Sequence, residues 1–440
     1  MSRAPEKRRK PIGLEPRLEA VSRLRAVLAG SPFRPFGSGE IADPRDRALA
    51  NRIVTAALRR HGHISAILAA TLPKGIPPRS GTFEAALRTG IAQLLYLPDI
   101  PDHSALDLAV EATKADPRAR PFARLANGVL RNVQRRAAEF TALDPALLFP
   151  NWLAERWRTH YGADALPRFA EALSETPPLD LSPVIPADAG LAETLGATPV
   201  LDFSLRLSTR DAAVADLPGF SEGRFWVQDA AAALPARLLG ARSGQSVLDI
   251  CAAPGGKTAQ LCAVGAEVTA LDIDAARMAR VGENLARLGF AAEIVTADAL
   301  DYAPAAPFDA VLLDAPCSAT GTFRRHPEVL FQRNASGIAE RAALQRRMIE
   351  RAAALLAPGG TLVYCVCSLE AEEGEDQAGW IRTAPHLGLD HVPIAASEVA
   401  GWSEAITEAG DLRTHPGLAI PSPASGTLDG FFATRFTKRA

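Results

Sequence analysis

From about residue 226 onward, short apolar segments alternate with helical patterns, and this alternation constrains the fold more than any other feature of the sequence. The segments typical of strands are 246–251, 267–272, 293–296, 308–314 and 361–368. The segments with helical periodicity are 258–264, 275–288 and 338–356. Because a helix usually connects two parallel strands, we predict an α/β domain with a mostly parallel sheet and a ligand site at the carboxyl ends of its strands.

The residues before this domain are mostly helical in pattern. Apolar residues recur at helical spacing at Leu49, Ile53 and Ala57, and clusters of proline and glycine separate such segments. Only weak strand signals occur between 177 and 220. We therefore predict a basic flexible tail over 1–16, an all-helical domain over 17–140, a small α+β linker domain over 141–225 and the α/β domain over 226–440.

Basic residues are concentrated in the first third of the chain. Residues 1–150 hold 24 Lys and Arg against 14 Asp and Glu, whereas the remainder holds 24 against 36. A basic module joined to an acidic one indicates that the first module binds a polyanion. The candidate contacts are Arg118, Arg120, Arg124, Arg131, Arg135 and Arg136.

Cysteine usage and hydropathy exclude several classes of protein. Five cysteines, an odd number, do not form a closed disulfide framework and fit a reducing cytoplasm. Their spacing is not that of a zinc site, so we expect no metal. No apolar run reaches the roughly 18 residues that a membrane helix needs, and the charged N-terminus has no secretory signal. We expect a cytoplasmic protein without a membrane span, and the sequence leaves its oligomeric state open.

A loop of small residues follows the first strand of the α/β domain: Cys251-Ala252-Ala253-Pro254-Gly255-Gly256-Lys257. Small residues let a ligand approach the backbone closely, and the N-terminus of the next helix adds aligned N–H groups. A phosphate-binding P-loop needs glycine where Cys251 stands, and the dinucleotide pattern G-x-G-x-x-G is absent. The expected ligand is therefore S-adenosylmethionine.

Acidic residues follow the next two strands. Asp272 ends the second strand about 20 residues after the loop, where a carboxylate can accept both ribose hydroxyls. Asp274 is the alternative, although it also stands where a helix cap is expected. Asp298 follows the third strand and is a candidate for the adenine amino group.

The fourth and fifth strands each end beside a cysteine. The fourth runs into Asp314-Ala315-Pro316-Cys317, and the fifth into Tyr364-Cys365-Val366-Cys367. Alternation along a strand places Cys365 and Cys367 on one face. Since Cys367 is nearer the carboxyl end, we expect Cys367 in the ligand crevice and Cys365 in the core.

Two thiols beside a carboxylate suit the methylation of carbon 5 of a pyrimidine. A thiolate adds to carbon 6, an acid neutralises charge at N3, and a base later removes the proton from carbon 5. Positive charge, for which Lys257 is a candidate, favours the thiolate. Methylation of an exocyclic amine commonly uses an Asp/Asn-Pro-Pro-aromatic motif instead, which the sequence lacks after its fourth strand.

These motifs together resemble the Sun/Fmu family of RNA 5-methylcytosine methyltransferases. The resemblance rests on the loop 249–258, the segment 314–321, Cys367-Ser368, the segment 223–230 and the final 429–433. The helical segments 47–60, 86–110 and 122–136 are similar to the NusB-type RNA-binding domain. The combination most resembles the small-subunit ribosomal RNA methyltransferase B group. It implies a Rossmann-like class I methyltransferase domain preceded by a NusB-like domain.

The resemblance also implies roles for individual residues. Residues 251–257 together with Asp272, Asp298 and Asp314 would bind S-adenosylmethionine. Cys367 would be the nucleophile and Cys317 would assist product release. Asp314 would also contact cytosine N3, which requires a protonated or strongly hydrogen-bonding carboxyl. DNA cytosine methyltransferases use the Pro-Cys cysteine as nucleophile, and on that alternative Cys317 attacks.

The sequence departs from the family in its linker and beside the nucleophile. Val366 stands where the family usually has threonine, and Asp180 stands where its linker commonly has arginine. The expected partner is RNA, and the segment 323–327 is a candidate contact to the RNA backbone, with a solvated loop as the alternative. Cytosine must be unpaired or flipped to react. The alternatives to ribosomal RNA methylation are a transfer RNA methyltransferase and a non-catalytic RNA-binding assembly factor.

Overall fold

The computed structural model describes residues 11–186, 188–207, 213–421 and 423–440. Contacts divide the chain into two compact units: Met1–Arg158 with His326–Gln332, and Thr159–Arg325 with Arg333–Ala440. The predicted tail lies outside the described residues up to residue 10, and the first helix already begins at Leu14.

The first unit is helical, as the periodicity predicts. Its helices are α1 (Leu14–Leu28), α2 (Pro44–Arg59), α3 (His61–Thr71), α4 (Phe83–Tyr96), α5 (Asp102–Ala115), α6 (Ala123–Arg135), α7 (Ala137–Thr141) and α8 (Asn151–Tyr161), and the last extends past the unit boundary. Asp43 caps α2 by accepting hydrogen bonds from the N–H groups of Arg45 and Asp46. Helix α6 buries Val129 and Val133 and leaves its arginines at the surface.

The second unit begins with a small antiparallel sheet. Its elements are α9 (Ala165–Ser174), β1 (Leu179–Pro183), α10 (Ala189–Leu195), β2 (Thr198–Val200), β3 (Ser204–Leu207) and β4 (Phe225–Val227), with strand order β2-β3-β1-β4. This is the α+β region that the sequence placed in a separate linker. Contacts divide this predicted linker, 141–225, between the two units: residues 141–158 belong to the first unit and residues 159–225 to the second.

Asp180, the acid at the atypical linker position, lies inside this sheet. Its two carboxylate oxygens accept hydrogen bonds from Arg206 Nε at 2.7 Å and Nη2 at 2.8 Å, and both side chains are buried. A buried carboxylate needs such a partner because burial without one is costly. The substitution relative to the family pattern is therefore explained by packing of the sheet.

An eight-stranded sheet forms the rest of the second unit. Its elements are α11 (Ala230–Leu238), β5 (Ser246–Ile250), α12 (Gly256–Ala263), β6 (Glu267–Asp272), α13 (Ala275–Leu288), β7 (Glu293–Thr296), β8 (Phe308–Asp314), α15 (Ala335–Leu355), β9 (Leu356–Val366), α16 (Glu375–Thr383), β10 (Leu389–His391), β11 (Leu412–Thr414) and β12 (Phe431–Lys438). The short helix α14 (Val329–Gln332) precedes α15 and belongs to the first unit. The predicted strands are confirmed, although β9 begins earlier than the pattern indicated.

The strand order in the sheet is β10-β12-β9-β8-β5-β6-β7, and β11 pairs with β12. Strands β5, β8 and β9, whose carboxyl ends carry much of the predicted ligand site, therefore lie in the middle of the sheet. Strands β5 to β9 pair in parallel, and β12 runs antiparallel to β9. The order reverses between β5 and β8, which is where sheets of this kind bind ligands. No helix among the described residues has the length and hydropathy to cross a membrane.

Candidate active site

A cleft of about 590 Å³ lies at the carboxyl ends of the parallel strands. The predicted residues that line it are Cys251, Ala253, Pro254, Asp272, Asp298, Asp314, Cys317 and Cys367. Its volume is in the range of sites that bind a nucleoside-sized ligand. Ala252 and Gly255 of the loop, and Gly256 and Lys257 at the start of α12, do not line the cleft.

The loop between β5 and α12 is held by a buried carboxyl. Asp249 is inaccessible to solvent, and its Oδ2 accepts a 2.6 Å hydrogen bond from Thr258 Oγ1. Burial raises the pKa of Asp249 to about 7. Gly255 has φ +97°, and a Cβ there would lie 3.0 Å from Val281 Cγ1, so both conformation and packing require glycine.

Asp272 fixes the second side of the cleft. It accepts hydrogen bonds from the Ala253 N–H at 3.3 Å and the Asp274 N–H at 3.0 Å. Asp274 caps α13 by accepting from the Arg277 N–H, so the capping alternative considered for it is confirmed. Asp272 lines the cleft and Asp274 does not.

Arg277 is a cleft residue that the sequence did not single out. Its Nη1 lies 3.6 Å from Asp272 Oδ2, and its Nη2 donates to the Ala253 carbonyl. The available signal was its position in the first turn of the helix that follows a strand-end acid. Arg277 ties the small-residue loop to Asp272 and thereby shapes the ligand wall.

The cleft has the charge and size to hold S-adenosylmethionine. Asp272, Asp298 and Asp314 line one cavity, and carboxylates complement the ammonium and sulfonium charges of that molecule. Asp249 Oδ1 is buried and has no hydrogen-bond partner among the described residues. Acidic and apolar lining together fit a nucleoside that carries positive charge.

The two cysteines meet in the cleft. Strands β8 and β9 are adjacent and parallel, and Asp314 is the register partner of Cys365. Just beyond the strand ends, Cys317 Sγ and Cys367 Sγ lie 3.5 Å apart. Cys365 is fully buried, with its Sγ 3.6 Å from Asp314 Oδ1. The structure thus has Cys367 in the crevice and Cys365 in the core, as predicted from the position of Cys367 nearer the carboxyl end of the strand.

Lys257 supplies a positive charge behind the cysteines. Its Nζ donates to Asp314 Oδ2 at 2.7 Å and lies 5.1 Å from the centroid of the Phe431 ring. Burial alone would lower the pKa of Lys257, but Asp314 and the nearby thiols Cys365 and Cys367 raise it overall. The Lys257 ammonium is therefore kept charged.

The thiols differ in their electrostatic environment. The hydrogen bond that Cys317 shares with Cys367, together with burial, raises the pKa of Cys317 well above its ordinary value. Burial, followed by the charge of Asp314, does the same for Cys365. Because the attacking species is a thiolate, two thiols held neutral are the poorer nucleophiles. Neither Cys317 nor Cys365 therefore has the environment of an activated nucleophile.

In the segment 323–327, Arg324 is buried and Arg325 is partly buried, so the RNA-contact prediction and the solvated-loop alternative are both wrong for Arg324. Arg324 is 1% exposed and donates to Asp429 Oδ1 at 2.9 Å. Arg325 donates to Asp229 Oδ2 at 2.6 Å and Asp429 Oδ2 at 3.1 Å. The buried carboxylates of Asp229, just after β4, and Asp429, just before β12, are both paired with these two arginines, because a buried charge without a partner is costly. The arginines thereby connect the end of β4 to the start of β12.

Replacing Arg324 by alanine is expected to destabilise the protein by about 3–5 kcal/mol, since it leaves the buried carboxylates of Asp229 and Asp429 with Arg325 as the one remaining cation of this cluster among the described residues. Urea unfolding would measure the change, with the exposed Arg242→Ala as a matched control that shifts stability by less than about 0.5 kcal/mol. Unchanged stability of the Arg324 variant combined with weaker RNA binding would restore the RNA-contact interpretation.

The fold and the cleft are those of the S-adenosylmethionine-dependent methyltransferases. A family model described as 16S rRNA methyltransferase RsmB/F matches residues 236–437, and a NusB family model matches residues 30–135. The chain belongs to the RsmB/F family of 16S rRNA methyltransferases, and its cofactor is S-adenosylmethionine. The predicted family, its helical domain and its methyltransferase fold are therefore confirmed.

Relatives support this assignment over most of the chain. Ribosomal RNA small subunit methyltransferase B of Xanthomonas campestris pv. campestris is 41% identical over 77% of this chain and 79% of its own length. The protein of the same name from Salmonella paratyphi B is 35% identical over 91% of this chain and 92% of its own. The crystal structure of PH0851 has a TM-score of 0.74, with 22% identity over 98% of this chain and 100% of its own, and shows a shared fold.

Proposed function

We propose that this protein forms 5-methylcytosine in small-subunit (16S) ribosomal RNA through a covalent bond between Cys367 and carbon 6 of the cytosine. The observation that carries the proposal is the 3.5 Å approach of Cys317 and Cys367 beside Asp314 in one cleft. A methyltransferase that acts on an amine has no use for two adjacent thiols.

In this proposal, residues of the cleft carry out the individual chemical steps. Bound S-adenosylmethionine supplies an electrophilic methyl group. Cys367 as thiolate donates its electron pair to carbon 6, forming the S–C6 bond and making carbon 5 nucleophilic. Asp314, positioned by Lys257, acts as the acid that donates a proton to N3 and so neutralises the negative charge that develops there. After carbon 5 has taken the methyl group, a base accepts its remaining proton, the electrons of that C–H bond form the C5=C6 double bond, and the S–C6 bond breaks to release Cys367 as a thiolate.

Cys317 has a separate role in the proposal. It lies beside the sulfur that must depart, and it is held as a neutral thiol. A neighbouring thiol can hydrogen bond to the leaving sulfur and thereby assist elimination. In this proposal the cofactor is bound by the residues of the predicted set that line the cleft: Cys251, Ala253, Pro254, Asp272, Asp298 and Asp314.

The choice of ribosomal RNA rests on different observations. The relatives at 35% and 41% identity are named for the small ribosomal subunit. The helical unit carries exposed arginines at 118, 120, 124, 131 and 135, which suit phosphate contacts. With ribosomal RNA as its substrate, the enzyme acts in the cytoplasm on an unpaired or flipped cytosine.

A trapping experiment tests the covalent step. We expect Cys317→Ala, incubated with S-adenosylmethionine and RNA from cells that lack the enzyme, to accumulate a denaturant-stable protein–RNA adduct, because attack proceeds and release does not. The double variant Cys317→Ala/Cys367→Ala should form no adduct. Sequencing the trapped RNA identifies the methylated cytosine.

Other outcomes would contradict parts of the proposal. Methyl transfer by the wild type without an adduct in Cys317→Ala would reject the assigned roles of the two thiols. An adduct that persists in the double variant would reject Cys367 as nucleophile. A trapped transfer RNA would keep the chemistry and replace the substrate.

A further inference from the structure

A buried carboxylate connects the two segments that carry the cysteines. Glu373 is inaccessible to solvent and lies just after β9. Its Oε2 accepts hydrogen bonds of 2.5 Å from both Ser318 Oγ and Ser368 Oγ. Ser318 directly follows Cys317, and Ser368 directly follows Cys367. One carboxyl group therefore holds the residue next to each thiol.

Further bonds make this connection specific. Glu373 Oε1 accepts from the Ser318 N–H at 2.8 Å and from Gln345 Nε2 at 3.3 Å. Ser318 Oγ and Ser368 Oγ lie 3.0 Å apart. Each hydroxyl has one proton to donate, and both donate it to the same oxygen of Glu373, which brings the two hydroxyls close together. The backbone adds a second tie, since the Gly321 N–H donates to the Cys367 carbonyl at 3.0 Å.

We propose that Glu373 is a positioning residue that holds Cys317 against Cys367 through Ser318 and Ser368, and so sets the geometry of product release. This inference rests on the proposed function, in which Cys367 attacks and Cys317 assists its departure. Glu373 does not line the cleft and has no contact with the ligands expected there. Its effect on the reaction is transmitted by the two serines.

The first test measures thiol geometry without RNA or cofactor. Diamide takes two electrons and two protons from a pair of thiols and leaves a disulfide, so the rate of Cys317–Cys367 disulfide formation reports how the sulfurs approach. We expect Glu373→Gln to slow this rate roughly tenfold or more, because its amide presents a donor to two hydroxyl donors. Peptide mapping identifies the pair, and Asp376→Asn, an exposed neighbour, should behave as wild type.

The second test measures release itself. With S-adenosylmethionine and substrate RNA, Glu373→Gln should accumulate the covalent protein–RNA adduct as Cys317→Ala does, since attack is impaired less than departure. A residue that only stabilises the fold would lower adduct formation and turnover together. Removing both hydroxyls, in Ser318→Ala/Ser368→Ala, should make the additional Glu373→Gln change nearly silent in the disulfide assay.

The outcomes separate this inference from the function on which it rests. An unchanged disulfide rate in Glu373→Gln would overturn the positioning role even if methylation is confirmed. A slowed rate in a protein that forms no adduct in any variant would support the positioning of the thiols and reject the covalent function. If Glu373→Gln does not fold, Ser318→Ala removes one of the two links, and an unchanged rate there overturns the inference.

Discussion

Replacing Cys367 by alanine is expected to abolish methyl transfer, with turnover lowered on the order of 10⁴-fold or more. Losses of this size follow removal of the nucleophile from a covalent mechanism. Without the S–C6 bond, carbon 5 of cytosine is not nucleophilic enough to accept the methyl group. The neighbouring Cys317 does not compensate, because its burial still raises its pKa when the Cys367 thiol is absent. Transfer of a radiolabelled methyl group to RNA from cells that lack the enzyme measures the loss.

Two controls make the Cys367 result interpretable. Cys262→Ser changes a cysteine that does not line the cleft and should retain nearly full activity. The affinity of Cys367→Ala for S-adenosylmethionine, measured by calorimetry, should be close to that of the wild type. Turnover within about tenfold of wild type would mean that Cys367 is not the nucleophile, whereas loss of cofactor binding would attribute the defect to the fold.

The catalytic strands and loops could be predicted because their signals are local. Strand β6 and helix α13 have the bounds that apolar periodicity indicates. The loop 251–257 is identified by a run of small residues between a strand and a helix. Strand-end acids and cysteines then converge because parallel strands end at one edge of the sheet. Residues that follow successive strands in the sequence could thus be predicted to lie close together in the cleft.

The failures concern partners that are distant along the chain. Arg324 pairs with Asp229 and Asp429, which lie 95 and 105 residues away, and no local pattern indicates such pairing. Basic residues beside a reactive cysteine therefore resembled an RNA contact. Asp180 is similar, since its partner Arg206 is 26 residues away on another strand. Burial of charge is set by tertiary packing and is not encoded in the residues on either side.

Glu373 illustrates the same limit inside the catalytic region. It lies within a run of acidic residues that, by sequence, resembles a solvated surface. Folding places Glu373 in the core beside Ser318, which is 55 residues away, while the neighbouring Asp376 stays exposed. The acids of this run are alike in type but differ in burial. The packing of the short 3-10 turn after β9, which contains Glu373, distinguishes them.

Replacing Asp314 by asparagine should lower turnover by about 10²–10⁴-fold, the range that general acid–base groups contribute. Asparagine keeps the shape of the side chain but removes the charge that pairs with Lys257 at 2.7 Å. The ammonium would then lack its carboxylate partner behind the cleft, and cytosine N3 would lose the group proposed to balance its charge. Single-turnover methylation at saturating cofactor measures this loss directly.

Asp298→Asn provides the matched comparison at the same edge of the sheet. Asp298 is exposed, lines the cleft and accepts a hydrogen bond from the Leu300 N–H at 2.9 Å. As a proposed contact to the cofactor alone, its loss should raise the KM for S-adenosylmethionine and leave kcat nearly unchanged. If Asp314→Asn showed that same pattern, Asp314 would bind only the cofactor, and the N3 contact would have to come from another residue.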